Sequence, residues 1–207
     1  MPTITVEQGD SIPSLAKDYG FFPDTIWDHP QNAALRAKRK SQNQLFPGDE
    51  VFIPDLTKRI ENRGTDAKHK FKRKGVPAKL RMQLLSLGEP RKNEKYTLEI
   101  DGQTFSGTLD GDGKFEQYIP PNAKSGRILM NDGKEEIPIQ IGYLNPASEL
   151  SGVQQRLNNL GFFCGNEQGD MDDQTQGAIR NFQEREGLPI TGEADGATKA
   201  KLEELHP

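Results

Sequence analysis

Cysteine is nearly absent from this chain, which contains only Cys164. A single cysteine excludes an internal disulfide, and this usage fits a protein that folds in a reducing compartment. The sequence has no run of about 18 apolar residues, so we predict no membrane-spanning helix. Its start, MPTITVEQGD, contains neither a basic segment nor an apolar one, so we expect no secretory signal and synthesis in the cytoplasm.

Hydrophobic residues are also scarce, at 32% of the chain, whereas turn formers are frequent, with 21 glycines and 14 prolines. In a chain of 207 residues this composition favours several small modules over one large core. We therefore predict a multi-domain α+β protein. The formal net charge of -4 argues against a dedicated nucleic-acid-binding protein, so we expect no nucleic acid partner.

The first module is predicted over residues 1–55. Residues 3–6 alternate as a half-buried strand, and a Gly-Asp-Ser turn follows. Apolar residues then recur at helical spacing over residues 12–19, and Gly20 ends the predicted helix.

The rest of this module predicts one more helix and one more strand. The second short helix is expected over residues 24–29, where Trp27 is typical of a core residue, and the second strand over residues 50–54. The predicted order is β-α-α-β, with a long basic insertion at residues 33–44.

This module resembles the LysM domain in two segments, VEQGDSIPSLAKDYG near its start and LFPGDEVFIP at its end. LysM domains bind glycans that contain N-acetylglucosamine, such as peptidoglycan and chitin, between the turn before the first helix and the turn before the second strand. The resemblance implies that the glycan-binding residues here are Gly9, Asp10, Ser11, Ile12, Asn32, Leu45, Phe46, Pro47 and Gly48. Glycine, Asp, Ser and Pro-Gly are also what tight turns require for structural reasons alone.

A basic linker is predicted over residues 56–75, because lysines and arginines crowd this stretch and such runs stay solvated. A β-rich module follows over residues 76–146. About six alternating segments separated by Asp-Gly turns predict a small antiparallel β-sandwich or barrel. The DGDG at residues 110–113 lacks the acidic ligands of a calcium loop, so we predict a hairpin turn there.

The last module, residues 147–207, is predicted to be a three-helix bundle with Leu205 facing inward. It resembles the three-helix peptidoglycan-binding module in VQQRLNNLGF and GDMDDQTQGAIRNFQEREGLPITGEADGATKAKLEEL. The resemblance implies a secondary wall-binding set of Gly161, Phe162, Thr175 and Gln183. The usual Asp-Gly-x-Phe-Gly motif is altered at residues 168–172, which implies a different wall-binding surface.

No catalytic constellation is evident in the sequence. A nucleophilic cysteine needs a nearby histidine and an oxyanion donor, and the motifs of wall transpeptidases are missing around Cys164. The three histidines, His29, His69 and His206, form no zinc motif. We therefore predict no enzyme activity, no metal and no cofactor.

These observations predict a noncatalytic protein that binds peptidoglycan or a related N-acetylglucosamine polymer. The alternative is an adaptor or accessory component of a contractile (type VI) secretion spike or its effector, which would bind a spike or effector protein. That alternative follows from the module order and from IGYLNPASELSGVQQRLNNLGF, which looks like proteins of type VI spike and Rhs effector clusters. A wall hydrolase is a third interpretation. We expect action at the cell envelope or delivery by a secretion system.

Overall fold

The computed structural model describes the chain in the segments 3–39, 41–57, 62, 64–65, 67–70, 78–86 and 88–206. The described residues form three clusters of buried apolar side chains, which define an N-terminal, a middle and a C-terminal unit. The basic linker predicted over residues 56–75 lies largely outside the described residues.

The N-terminal unit pairs two short antiparallel strands that lie at the two ends of its sequence. Helical elements fill the chain between them because their apolar faces need a common core. In chain order the elements are β1 (Thr3–Thr5), α1 (Ile12–Tyr19), α2 (Pro23–Trp27), a 3₁₀ turn (Pro30–Asn32), α3 (Ala33–Arg39) and β2 (Glu50–Phe52).

Helix α3 corrects the predicted β-α-α-β order, in which residues 33–44 are a basic insertion. Leu35 packs into the core of the unit. Arg36 donates hydrogen bonds to the backbone carbonyls of Trp27 and His29. The basic stretch therefore forms a third helix whose charges are used inside the molecule.

Local signals set both ends of α1. The Ser11 N–H donates to the Ser14 hydroxyl at 2.9 Å, and the Ser14 N–H donates to the Ser11 hydroxyl at 3.3 Å. This reciprocal capping box satisfies two backbone donors at the helix start. At the other end Gly20 takes a φ of 78°, the left-handed conformation in which a glycine ends a helix without a Cβ clash.

The middle unit is built from antiparallel strands. Their bounds are β3 (Ala78–Gln83), β4 (Leu85–Ser86), β5 (Glu89–Pro90), β6 (Lys95–Ile100), β7 (Gln103–Thr108), β8 (Lys114–Ile119), β9 (Ser125–Met130) and β10 (Glu135–Gln140). One sheet has the order β10-β9-β6-β7, and β3 pairs with β8 and β4 with β5. Among the described residues these strands form separate sheets and not one closed barrel. Side chains of the four-stranded sheet, such as Leu98, and of the β3–β8 pair, such as Phe115, share one core.

A two-residue turn at Asp101 and Gly102 joins β6 to β7. The two residues take positive φ values of 48° and 74°, as a type I′ hairpin turn requires. The register pairs Ile100 with Gln103 next to the turn. This turn therefore determines which backbone groups of β7 face β6.

The C-terminal unit contains three helices, α4 (Leu150–Asn159), α5 (Asp173–Arg185) and α6 (Gly196–Leu205). Its core includes Val153, Ile179 and Leu202. Leu205, predicted to face inward, is instead exposed at the last residue of α6.

Residues 141–149, which we call the connector, join the middle and C-terminal units and also contact the N-terminal unit. Tyr143 lies against Gly9, and Glu149 forms an ion pair with Arg39. The connector therefore packs the units against one another. Within the described ranges, no helix is long and apolar enough to cross a membrane.

Candidate functional site

The first predicted glycan-binding turn faces the connector and the middle unit. A Cβ atom on Gly9 would lie 3.0 Å from the Tyr143 ring, and Gln8 donates from Nε2 to the Tyr143 carbonyl oxygen at 3.0 Å. Asp10 forms an ion pair with Lys124 at 3.2 Å, and this hydrogen bond raises the pKa of the Lys124 ammonium. Gly9 is buried, so the turn serves as an intramolecular contact.

Three further members of the predicted glycan-binding set lie inside the N-terminal unit. Ile12 and Leu45 belong to its core. Asn32 is buried, and its side chain donates to the carbonyl oxygens of Ile26 at 2.8 Å and Phe52 at 2.9 Å. Ile12 and Leu45 are therefore closed to a ligand, whereas Asn32, although its side-chain amide is used inside the unit, lies at the wall of the groove described below. Ser11 serves as the cap of α1.

The second predicted turn is more accessible. Phe46 and Pro47 are half-buried, and Gly48 is exposed. The Phe46 N–H donates to the Asp49 carboxylate at 2.9 Å, and the Arg39 guanidinium lies 5.3 Å from the centre of the Phe46 ring. The Gly48 N–H donates to the Val6 carbonyl oxygen at 2.9 Å, so what this turn offers to a ligand is the exposed part of the Phe46 ring and the outer surface of Gly48.

A buried ion cluster supports this turn. Arg39 donates from Nε and Nη2 to the two carboxylate oxygens of Asp49 at 2.6 and 2.9 Å, and from Nη1 to Glu149 at 2.8 Å. Burial disfavours both charges, but the hydrogen bonds outweigh it, so the pKa of Asp49 is lowered and the pKa of Arg39 is raised. Sequence reasoning missed this cluster, because Arg39 and Glu149 are 110 residues apart.

A shallow groove of about 570 Å³ opens beside the cluster, where α3 and β2 meet the second turn. Its walls include Gln31, Lys38, Gly48 and Phe52. The Phe52 ring packs against His29 with ring centres 4.6 Å apart. Polar groups beside an aromatic ring are suited to a sugar, and this groove lies next to one of the two predicted turns instead of between them.

Two predicted wall-binding residues of the C-terminal unit, Thr175 and Gln183, are completely buried. The Gln183 amide oxygen accepts the N–H groups of Thr191 and Gly192, each at 2.9 Å. Its Nε2 donates to the Thr198 hydroxyl at 2.9 Å. Gln183 therefore closes the loop that precedes α6.

The same arrangement precedes α5. Gln154 accepts the N–H of Gly169 at 2.8 Å and donates to the Thr175 hydroxyl at 3.0 Å. The two loops, GDMDDQT and GEADGAT, share the pattern Gly-acid-x-Asp-x-x-Thr, in which the Asp caps the following helix. The altered motif at residues 168–172 therefore keeps the helix cap, and Thr175 and Gln183 hold the loops in place.

The remaining two predicted residues, Gly161 and Phe162, lie at the surface of the C-terminal unit. Gly161 is exposed, and Phe162 packs edge-on against Phe182 with ring centres 5.4 Å apart. The Arg185 guanidinium lies 4.1 Å from the centre of the Phe162 ring. The next residue, Phe163, is 74% exposed and was missed by the sequence analysis. We call residues 161–163 the aromatic loop.

Cys164 is inaccessible and poorly nucleophilic. Its thiol lies 3.3 Å from the Gln154 carbonyl oxygen and 3.2 Å from Asn158 Oδ1. Burial, together with the charges of Glu167 and Asp172, raises the pKa of the Cys164 thiol to about 11.

Because the thiolate is the reactive form of cysteine, we expect a thiol reagent at about pH 8 to leave Cys164 of the folded chain unmodified while it labels the urea-unfolded chain completely. Labelling of both at the same rate would contradict this burial.

Acidic and sulfur ligands do not converge anywhere in the described segments, which contain no group of three or more His, Cys, Asp or Glu side chains that could hold a metal ion. The Asp110 carboxylate at the predicted hairpin turn accepts the N–H groups of Asp112 and Lys114, each at 2.8 Å, so this side chain holds the turn together.

Comparison with known proteins bears on the C-terminal unit. No curated protein and no solved structure gave a significant match to the chain. Residues 147–202 match the family model described as "Putative peptidoglycan binding domain". This match agrees with the resemblance drawn for the last module, and it supports peptidoglycan binding by the C-terminal unit.

Proposed function

We propose that this chain is a noncatalytic protein that binds peptidoglycan through its C-terminal unit. The observation that carries the proposal is the match of residues 147–202 to the peptidoglycan-binding family model. We assign the contact to the aromatic loop, since aromatic rings can pack on the apolar faces of sugar rings.

Replacing Phe163 by Ala is expected to weaken co-sedimentation of the full chain with insoluble peptidoglycan about fivefold to tenfold, or about 1–1.4 kcal/mol. The melting temperature should stay close to that of the wild type, because this ring is 74% exposed. Tyr118→Ala is the matched control, since Tyr118 is an aromatic residue of the middle unit that is 59% exposed.

Equal loss of binding in the Tyr118 variant, or no loss in the Phe163 variant, would contradict the assignment of the aromatic loop.

Incubation of the chain with labelled peptidoglycan tests the noncatalytic part of the proposal. We expect no labelled fragments in the supernatant, and time-dependent release by the purified chain would make it an enzyme.

The N-terminal unit is proposed as a second glycan-binding site of the LysM kind. The support is the accessible turn at Phe46, Pro47 and Gly48 and the groove that continues from it along α3 and β2. The first turn does not line this groove. Its role is structural, because its packing on Tyr143 holds the N-terminal unit against the connector. Two glycan-binding sites on one chain gain avidity on a polymer when both can bind at once.

A role as adaptor of a contractile secretion spike or its effector stays a second prediction. It rests on the order of the modules and on the segment IGYLNPASELSGVQQRLNNLGF, whose first nine residues form the connector that contacts Gly9 and Arg39. Co-purification of the chain with spike or effector subunits would support this role, and loss of transport in a contraction-defective strain would support delivery by that route.

A further inference from the structure

The two edges of the four-stranded sheet differ in their chemistry. Edge strand β10 contains Pro138, which has no N–H to offer another strand, and the charged residues Glu135 and Glu136. These are features that prevent a further strand from adding to a sheet. The opposite edge strand, β7, has the sequence QTFSGT, which contains neither a proline nor a charge.

The hairpin turn shows which backbone groups of β7 face away from the sheet. Residues Ile100 and Gln103 close a two-residue hairpin and therefore form a hydrogen-bonded pair. Hydrogen-bonded pairs alternate along the hairpin, so the N–H and C=O groups of Thr104, Ser106 and Thr108 point outward. In the part of the chain that the structure describes, no hydrogen bond satisfies these outward backbone groups.

We infer that β7 pairs antiparallel with β7 of a second copy of this chain, which joins two four-stranded sheets into one. In the register that we assign, Ser106 lies opposite its own copy on the two-fold axis, and Thr104 lies opposite Thr108. All three outward-facing residues of each chain then form hydrogen-bonded pairs. The uncharged sequence suits pairing with itself, since like charges directly opposite would destabilise the pair.

On the inward-facing side of the strand, Phe105 of one copy lies opposite Gly107 of the other in this register. The Tyr96 ring already fills the place of the missing Gly107 side chain, since a Cβ atom there would lie 2.6–2.9 Å from it, so Phe105 meets Gly107 next to that ring. A shift of the register by two residues would place Phe105 opposite itself and leave the Thr108 backbone unpaired. The second copy is therefore an occupant that uses every free group of this edge.

A cysteine scan of β7 in the full chain tests this register. Ser106→Cys should form a disulfide-linked dimer under mild oxidation, because hydrogen-bonded partners have Cα atoms about 5.5 Å apart, which is within disulfide range. Thr104→Cys is the matched control, since two copies of this position would lie about 14 Å apart. The native Cys164 is buried and does not compete. Equal crosslinking of both variants, or of neither, would overturn the proposal.

A second measurement does not depend on an added cysteine. Sedimentation should show that the wild type associates with increasing concentration towards twice the chain mass of 23.1 kDa. Ser106→Lys places like charges on the axis and should weaken the association at least about tenfold. Gln140→Lys, which adds the same charge to the β10 edge, should leave the association constant unchanged. A wild type that stays monomeric, or a Gln140 variant that weakens as much, would overturn the proposal.

Discussion

Replacing Arg39 by Met is expected to lower the free energy of unfolding of the chain by about 3–5 kcal/mol, the loss that is typical when one partner of a buried ion pair is removed. Methionine keeps much of the length of the side chain but leaves the Asp49 carboxylate without its two guanidinium hydrogen bonds. Both side chains are 2% exposed, so water cannot replace the lost partner. Urea unfolding followed by far-UV circular dichroism measures the change.

Two neighbouring substitutions serve as controls for Arg39→Met. The Glu149 side chain is 36% exposed, so Glu149→Gln should cost about 1 kcal/mol or less. The Lys38 side chain is 61% exposed, so Lys38→Met should change the free energy of unfolding by about 0.5 kcal/mol or less. If Lys38→Met costs as much as Arg39→Met, the buried ion pair is not the source of the stability.

The same ion pair determines the direction of a pH dependence. The pKa of Asp49 in the folded chain lies below its unfolded value of about 3.9. Its contribution to stability is therefore complete above that unfolded value and is lost as the pH falls through the folded-state pKa. As the pH falls below the unfolded value of about 3.9, the wild type should therefore lose more stability than Arg39→Met in urea unfolding.

Replacing Gln183 by Leu is expected to lower the free energy of unfolding of the C-terminal unit by about 3 kcal/mol. Leucine has a similar size but can neither accept the buried N–H of Gly192, which Gln183 now binds at 2.9 Å, nor donate to the buried Thr198 hydroxyl at 2.9 Å. Each buried polar group left without a partner costs about 1–3 kcal/mol. Hydrogen exchange of the α6 amide groups measures the loss in this unit directly.

Gln176→Leu is the matched control for Gln183→Leu, because Gln176 lies on the same helix and is only half-buried. We expect this change to alter stability by about 0.5 kcal/mol or less. Gln183→Leu should still bind peptidoglycan under conditions where it is folded, since Gln183 has no exposed surface. Loss of binding by a folded Gln183 variant would return this residue to the wall-binding set.

Several features of the fold were predictable because they depend on residues close together in the chain. The Ser11 cap and Gly20 at the end of α1 follow from a turn sequence followed by helical spacing. Six of the β strands were also visible as alternating segments, since alternation is a local consequence of the strand period.

Helix α3 was not predicted, because its basic residues looked like a solvated insertion. Their partners are the carbonyls of Trp27 and His29 and the carboxylate of Asp49, which come from other parts of the unit. Charge alone does not distinguish an exposed basic face from one that is neutralised within the fold.

The sequence by itself determined the turns, the caps and the type of the C-terminal unit, because these depend on short spacings between neighbouring residues. Only the tertiary structure decided which predicted site residues a ligand can reach. Gln183 is buried by partners that lie on α6 and on the loop before it, and the turn at Gln8 meets Tyr143 across a separation of 135 residues. The physical reason is that accessibility depends on how distant segments pack, and a side chain suited to a ligand is equally suited to a buried hydrogen bond.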